Sequence, residues 1–94
     1  MYATIRNYSS ESGMADALVE NESDVRSIIT GIDGFRAYYL IKTSDGGAAS
    51  VSVFDDEAGA SESTRAAGEW VRENLPEHAG TSPQVTSGEV VLDF

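Results

Sequence analysis

Phe35-Arg-Ala-Tyr-Tyr-Leu-Ile-Lys42, Thr43-Ser-Asp-Gly-Gly47 and Ala48-Ala-Ser-Val-Ser-Val-Phe54 follow one another through the middle of the chain and together read as a β-hairpin. The two flanking runs are rich in aromatic and β-branched residues, which suit a pleated, half-buried surface. Between them Ser44-Asp45-Gly46-Gly47 supplies the positive φ angles that a tight turn requires. Upstream, Met14, Leu18, Val25, Ile28 or Ile29, and Ile32 recur at helical spacing with Glu20, Glu22 and Asp24 on the polar side, and Asp33-Gly34 ends the helix. Tyr2-Ala-Thr-Ile-Arg-Asn-Tyr8 alternates in the strand manner, with Ala3, Ile5 and Asn7 on one face and Tyr2, Thr4, Arg6 and Tyr8 on the other. The polar stretch Ser9–Gly13 links this first strand to the helix.

Downstream of the hairpin, Asp55 and Asp56 offer an N-cap ahead of Glu57, and the acidic first turn suits the positive end of a helix dipole. That helix is expected to reach about Leu75, because Pro76 cannot continue it. Its inner stripe is Ala60, Thr64, Ala67, Val71 and Leu75, with Trp70 beside it. Gln84 to Phe94 reads as a last strand, bent or bulged at Gly88. Strand, helix, strand, strand, helix, strand is the ferredoxin-like split βαβ plan in a single domain spanning residues 1–94: a four-stranded antiparallel sheet with two helices on one face.

The alternation is read with Asn7 toward the helices. Tyr8, Tyr38, Leu40, Phe54, Val90, Leu92 and Phe94 then fall on the far face, together with Arg6 and Arg36. That is too much apolar surface for a small protein to leave wet. A second copy of the sheet would cover it, so an isologous homodimer is expected.

Ninety-four residues permit one modest core. Sixteen Asp and Glu against six Lys and Arg give a formal charge of −10, which repels nucleic-acid phosphates and anionic membrane surfaces. A hydrophobic content of 40% separates the chain from disordered acidic tails. Only Lys42 is lysine, and an acid excess of this size fits either a halophilic protein whose self-repulsion is screened by salt or simply an acidic bacterial one. With no cysteine, disulfides, thiolate metal sites and cysteine nucleophiles are excluded. No apolar run is long enough to span a bilayer, and Met1 to Ser10 carries Arg6 and Asn7 with no apolar stretch behind them, so a cytoplasmic location is expected.

The first strand Tyr2–Tyr8, the turn Gly34-Phe35-Arg36-Ala37-Tyr38-Tyr39, the run from Ser50-Val-Ser-Val-Phe54 into Asp55-Asp56-Glu57-Ala58, and the helix end Glu69-Trp-Val-Arg-Glu-Asn-Leu75 together resemble the dimeric α+β barrel superfamily, in particular antibiotic-biosynthesis-monooxygenase-type domains. The resemblance implies a pocket between sheet and helices. In characterised relatives it serves oxidation of aromatic polyketides without a cofactor, or heme degradation. Heme-degrading members use a strand-one Asn with a His and a Trp from the second helix. Asn7 and Trp70 match that pattern in part, whereas His78 follows Pro76 into a loop, so no bound cofactor is expected and heme is disfavoured without being excluded.

Asn7 is accordingly a candidate donor to a substrate carbonyl or to dioxygen, or else an Asn satisfied by backbone and water. Trp70 is a candidate pocket wall, or a core anchor. His78, the one histidine, and Tyr39 are candidates for handling protons, and Phe35, Tyr39 and Trp70 for contacting a small apolar or aromatic ligand. Asp55-Asp56-Glu57 is read as a helix cap and not as a metal site. Neither a Gly-x-Ser-x-Gly elbow nor a phosphate-binding glycine loop occurs. A non-catalytic homodimer with the same fold is the competing reading.

Overall fold

The computed structural model describes residues 1–9, 13–78 and 83–94. Most of the Ser9–Gly13 link, and Ala79-Gly80 after His78, lie outside the described residues. Strand β1 (Tyr2–Tyr8) is followed by helices α1 (Met14–Glu20) and α2 (Glu22–Thr30), strands β2 (Phe35–Lys42) and β3 (Ala48–Phe54), helix α3 (Glu57–Asn74), a single 3-10 turn (Pro76–His78) and strand β4 (Gln84–Glu89). The sheet order is β2-β3-β1-β4 with every neighbouring pair antiparallel, and the helices pack on one face. This is the α+β ferredoxin-like arrangement that the sequence predicts. No helix among the described residues is long and apolar enough to cross a membrane.

Local chemistry explains the joints. Gly34 at φ 84° turns the chain into β2, and Gly46 at φ 90° closes the β2–β3 hairpin, both in the left-handed region that favours glycine. The side chain of Asp45 supports that turn by accepting hydrogen bonds from Thr43 Oγ1 and Gly47 N. Asp56 caps α3, its Oδ1 accepting from Gly59 N at 3.1 Å.

Three details differ from the expectation. The helical stretch before Gly34 is two helices, because Asn21 breaks it: its Nδ2 donates to Ala17 O at 2.8 Å and its own carbonyl accepts from Val25 N at 3.1 Å, so one residue closes α1 and opens α2. Gly88 is not a bulge, since β1 and β4 pair in unbroken register through Ala3 and Gly88; the irregularity lies in β2 between Phe35 and Ala37. The last strand ends at Glu89, and Val91, Leu92 and Phe94 continue as exposed chain.

The two sheet faces are also the reverse of the expected ones. Tyr8, Tyr38, Leu40 and Phe54 pack under the helices, and Arg6 lies with them at 3% exposure. Arg36 is exposed and pairs with Asp55 beside the β2 irregularity. Asn7 therefore belongs to the far face, in a row with Ala49, Ile41 and Gln84. The next row along carries Ile5, Val51, Tyr39 and Thr86. With Ile5 36%, Ile41 48% and Tyr39 63% exposed, the far face is still an uncovered apolar surface, though built from different residues.

Under the helices the core falls into two clusters. Met14, Leu18, Trp70 and Leu75 form one, and Ile29, Phe54 and Ala60 the other, with Phe35 meeting Phe54 edge to face at a ring separation of 6.0 Å.

Candidate functional site

The helix side of the sheet is unusually polar at its centre. Thr4, Arg6, Ser50 and Ser52 all point there and are buried. Arg6 is held by hydroxyls alone: Nη1 donates to Ser52 Oγ at 3.3 Å, and Nη2 donates to Ser63 Oγ and Thr64 Oγ1, each at 2.9 Å. Both α3 hydroxyls donate in turn to Ala60 O, which leaves their lone pairs facing the guanidinium. Among the described residues the buried Nε has no partner. Burial pulls the Arg6 guanidinium below its ordinary range and pushes the phenols of Tyr8 and Tyr38 above theirs, so both tyrosines stay neutral beside it.

Three cavities run beneath the helices. The first, about 420 Å³, opens between α1, α2 and β2; Leu18, Val25, Ile29, Phe35, Tyr38 and Leu40 line it, and Glu22 and Arg26 stand at its rim, ion-paired at 2.6 Å. The second, about 30 Å³, is enclosed by Arg6, Tyr8, Tyr38 and Trp70 and is on the scale of a single water. The third, about 220 Å³, lies between α3, β1 and β4, with Arg6, Thr64, Val71, Arg72 and Val85 on its walls. Their lining residues overlap, so the three form a discontinuous passage along the helix–sheet interface.

The sequence-predicted residues are dispersed over this structure. Phe35 lines the large groove. Trp70 is 9% exposed, packed against Met14, Leu18 and Leu75, and touches only the smallest cavity. Asn7 and Tyr39 lie on the opposite face of the sheet and share no cavity with it, because the alternation of β1 turns Arg6 and Tyr8 inward. His78 sits in the 3-10 turn after α3, with its ring beside Gly13, and lines none of the three cavities.

An iron-bound heme needs an axial donor aimed into its pocket. None of these cavities carries a histidine, so the described residues offer heme iron no imidazole ligand there. Among the described residues no group of His, Cys, Asp or Glu is placed to hold a metal ion.

No family model matches the chain, and no curated protein matches it. Solved structures do. A protein of unknown function from Nitrosomonas europaea superposes with a TM-score of 0.71 at 16% identity, over 99% of this chain and 91% of that one. The heme-degrader MhuD from Mycobacterium tuberculosis gives 0.64 at 16% identity, over 100% and 99% of the two chains. The cofactor-independent oxygenase SnoaB from Streptomyces nogalater gives 0.59 at 8% identity, over 98% and 92%. The chain shares the α+β ferredoxin-like fold of these structures. At such identities the likeness extends to the fold alone, and the different activities of these neighbours show how little it dictates the chemistry.

Sequence reasoning missed Arg6 as an inward residue and the hydroxyl set around it. A usable signal was present in β3, where small Ala48, Ser50 and Ser52 alternate with larger Val51 and Val53. The small set marks the side on which a long neighbour must lie.

Proposed function

We propose that the chain forms a homodimer through the open sheet face and binds a small apolar or aromatic molecule in the groove between α1, α2 and β2. The observation that carries this is the groove itself: about 420 Å³, floored by Leu18, Val25, Ile29, Phe35, Tyr38 and Leu40, with charge only at its rim. Size and lining match the roughly 300–1,000 Å³, mostly apolar sites that small ligands occupy. Dimerisation is supported by exposed Ile5, Tyr39 and Ile41 on two neighbouring rows of that face, which a second sheet would cover, and Asn7 would then lie inside the barrel between the two sheets. The acid-rich exterior suits a saline cytoplasm.

The same groove could house cofactor-free oxidation of a hydroxylated ring. Glu22 at the rim would take the phenolic proton, the phenolate would add dioxygen at a ring carbon, and the resulting peroxide would regain the proton and lose water to leave a quinone, one oxygen atom entering the ring and the other leaving as water. Asn7, Tyr39, Trp70 and His78 have no place in this version, and Phe35 keeps its role as a ligand contact.

The test is titration with 1-naphthol and a panel of hydroxylated aromatics, followed by aerobic incubation with oxygen uptake and absorbance recorded. Val19, 63% exposed on the groove wall, supplies the control, since Val19→Trp fills the mouth while leaving the core alone. Binding that Val19→Trp weakens supports the groove, and oxygen uptake that it also weakens supports the oxidation. Failure of the whole panel to bind would leave the non-catalytic dimer as the function.

A further inference from the structure

We propose that the cleft between α3, β1 and β4 is a second ligand site, specific for a small amphipathic carboxylate whose anionic group is held by Arg6 and Arg72 and whose apolar part rests on Val71 and Val85. The argument begins with how the positive charges are used. Carboxylates outnumber basic residues sixteen to six in this chain. Arg26 pairs with Glu22, Arg36 with Asp55, Lys42 with Asp16, and Arg65 with both Glu62 and Glu69. Among the described residues the two remaining basic side chains, Arg6 and Arg72, make no ion pair, and both wall this cleft of about 220 Å³. Two cations left unpaired by such an excess of acid, and facing one cavity, mark a place kept for an external anion.

Arg6 provides the second, independent observation. A guanidinium at 3% exposure is expensive to bury and is ordinarily compensated by a carboxylate. Here neutral hydroxyls of Ser52, Ser63 and Thr64 orient it, and Nε is left without a partner among the described residues. Hydroxyls fix its position without cancelling its charge, so the full positive potential stays in the cavity wall. Arg72, exposed in the last turn of α3, supplies a donor that solvent and ligand can reach. With Val71, Val85 and Pro83 beside the two arginines, the cleft favours an apolar body carrying one negative end over a bare inorganic anion. It shares no lining residue with the groove between α1, α2 and β2, so the two sites stand or fall separately.

Calorimetric titration of the intact protein with phenylacetate and octanoate, and with their neutral amides, tests this. Both carboxylates should bind about tenfold or more tightly than the matching amides, the factor expected for a charge-assisted hydrogen bond. Arg72→Gln changes an exposed side chain and should weaken the carboxylates by a similar factor while leaving the amides unaffected. Arg6→Met, which keeps the apolar length of the chain, should abolish carboxylate preference. If Arg6→Met fails to fold, the amide comparison and Arg72→Gln still decide. Equal affinity for acid and amide, no binding by either carboxylate, or indifference to Arg72→Gln would overturn the proposal. Competition of phenylacetate with 1-naphthol would overturn the separateness of the two sites.

Discussion

The same substitution at two positions of α3 should change stability in opposite directions, and Gly59→Ala is the informative one. Gly59 sits in the first turn beneath Asp56, buried against the second core cluster. A methyl built there would lie 3.0 Å from Asp33 O and 3.0 Å from both Cβ and Cδ1 of Phe54. Neither neighbour can yield cheaply. Asp33 O is backbone just before the Gly34 turn, and Phe54 is completely buried, edge to face with Phe35. Overpacking of this kind costs about 1–3 kcal/mol, whereas replacing glycine by alanine inside a helix gains at most about 1 kcal/mol. The net expectation is a loss of about 1–2 kcal/mol, which in a domain of this size lowers Tm by roughly 5–15 °C.

At Gly68 the nearest atom to a new methyl is Arg72 Nη1 at 3.8 Å, the mobile end of a long side chain. There only the helix-propensity gain remains, so Gly68→Ala should raise Tm by a few degrees, about what up to 1 kcal/mol gives. The assay is thermal unfolding followed by circular dichroism at one fixed protein concentration, because association makes Tm depend on concentration. A Gly59→Ala protein as stable as the parent would refute the close approach of α3 to β3 on which the core description rests.

Three further outcomes are expected. Ile5→Lys places a charge in the middle of the open sheet face and should convert a dimer to a folded monomer, read by light scattering with an unchanged circular dichroism spectrum. Two chains of charge −10 repel, so the proposed dimer should tighten between about 0.1 M and 1 M salt as the screening length falls from roughly 10 Å to 3 Å, with weakening on added salt as the contrary result. The Asp45 carboxyl is held below the ordinary range, first by the hydrogen bond from Thr43 and then by that from Gly47 N. A depressed folded value means its contribution is present above the usual Asp range and fades as pH falls through the lowered value. Asp45→Asn should therefore show a shallower loss of Tm on acidification, and identical acid profiles for the two proteins would contradict it.

The hairpin, both glycine turns, the cap at Asp56 and the order of elements were legible because each rests on local chemistry: φ angles, a short acceptor side chain, periodicity. Which face of the sheet points inward was not. Alternation sorts β1 into two sets, but it assigns them only if one set is plainly more apolar. Thr4 and Arg6 looked like the outer set beside Ala3 and Ile5. They are inner, because Ser52 of β3 and Ser63 and Thr64 of α3 satisfy Arg6 from residues far away in the chain. Trp70 was legible as a core anchor from its place beside an alanine-rich stripe. The dispersal of Asn7, Tyr39 and His78 was not legible, since proximity in space depends on the facing that was inverted.

The break at Asn21 bears on how anything enters the groove. A single long helix would move as one cooperative unit, but α1 has 7 residues and α2 has 9, each below the roughly 12–15 at which a helix begins to hold itself together in water. Both depend on the sheet for their stability, and both contribute walls to the groove. This pair is thus expected to open at lower free energy than β1 and β3, which lie between neighbouring strands in the sheet. In native-state hydrogen exchange the amides of Val25 to Thr30 should exchange through a sub-global opening at low denaturant, ahead of those of β3. A groove ligand should slow them selectively, so that ligand entry becomes measurable as amide protection before the ligand itself is known.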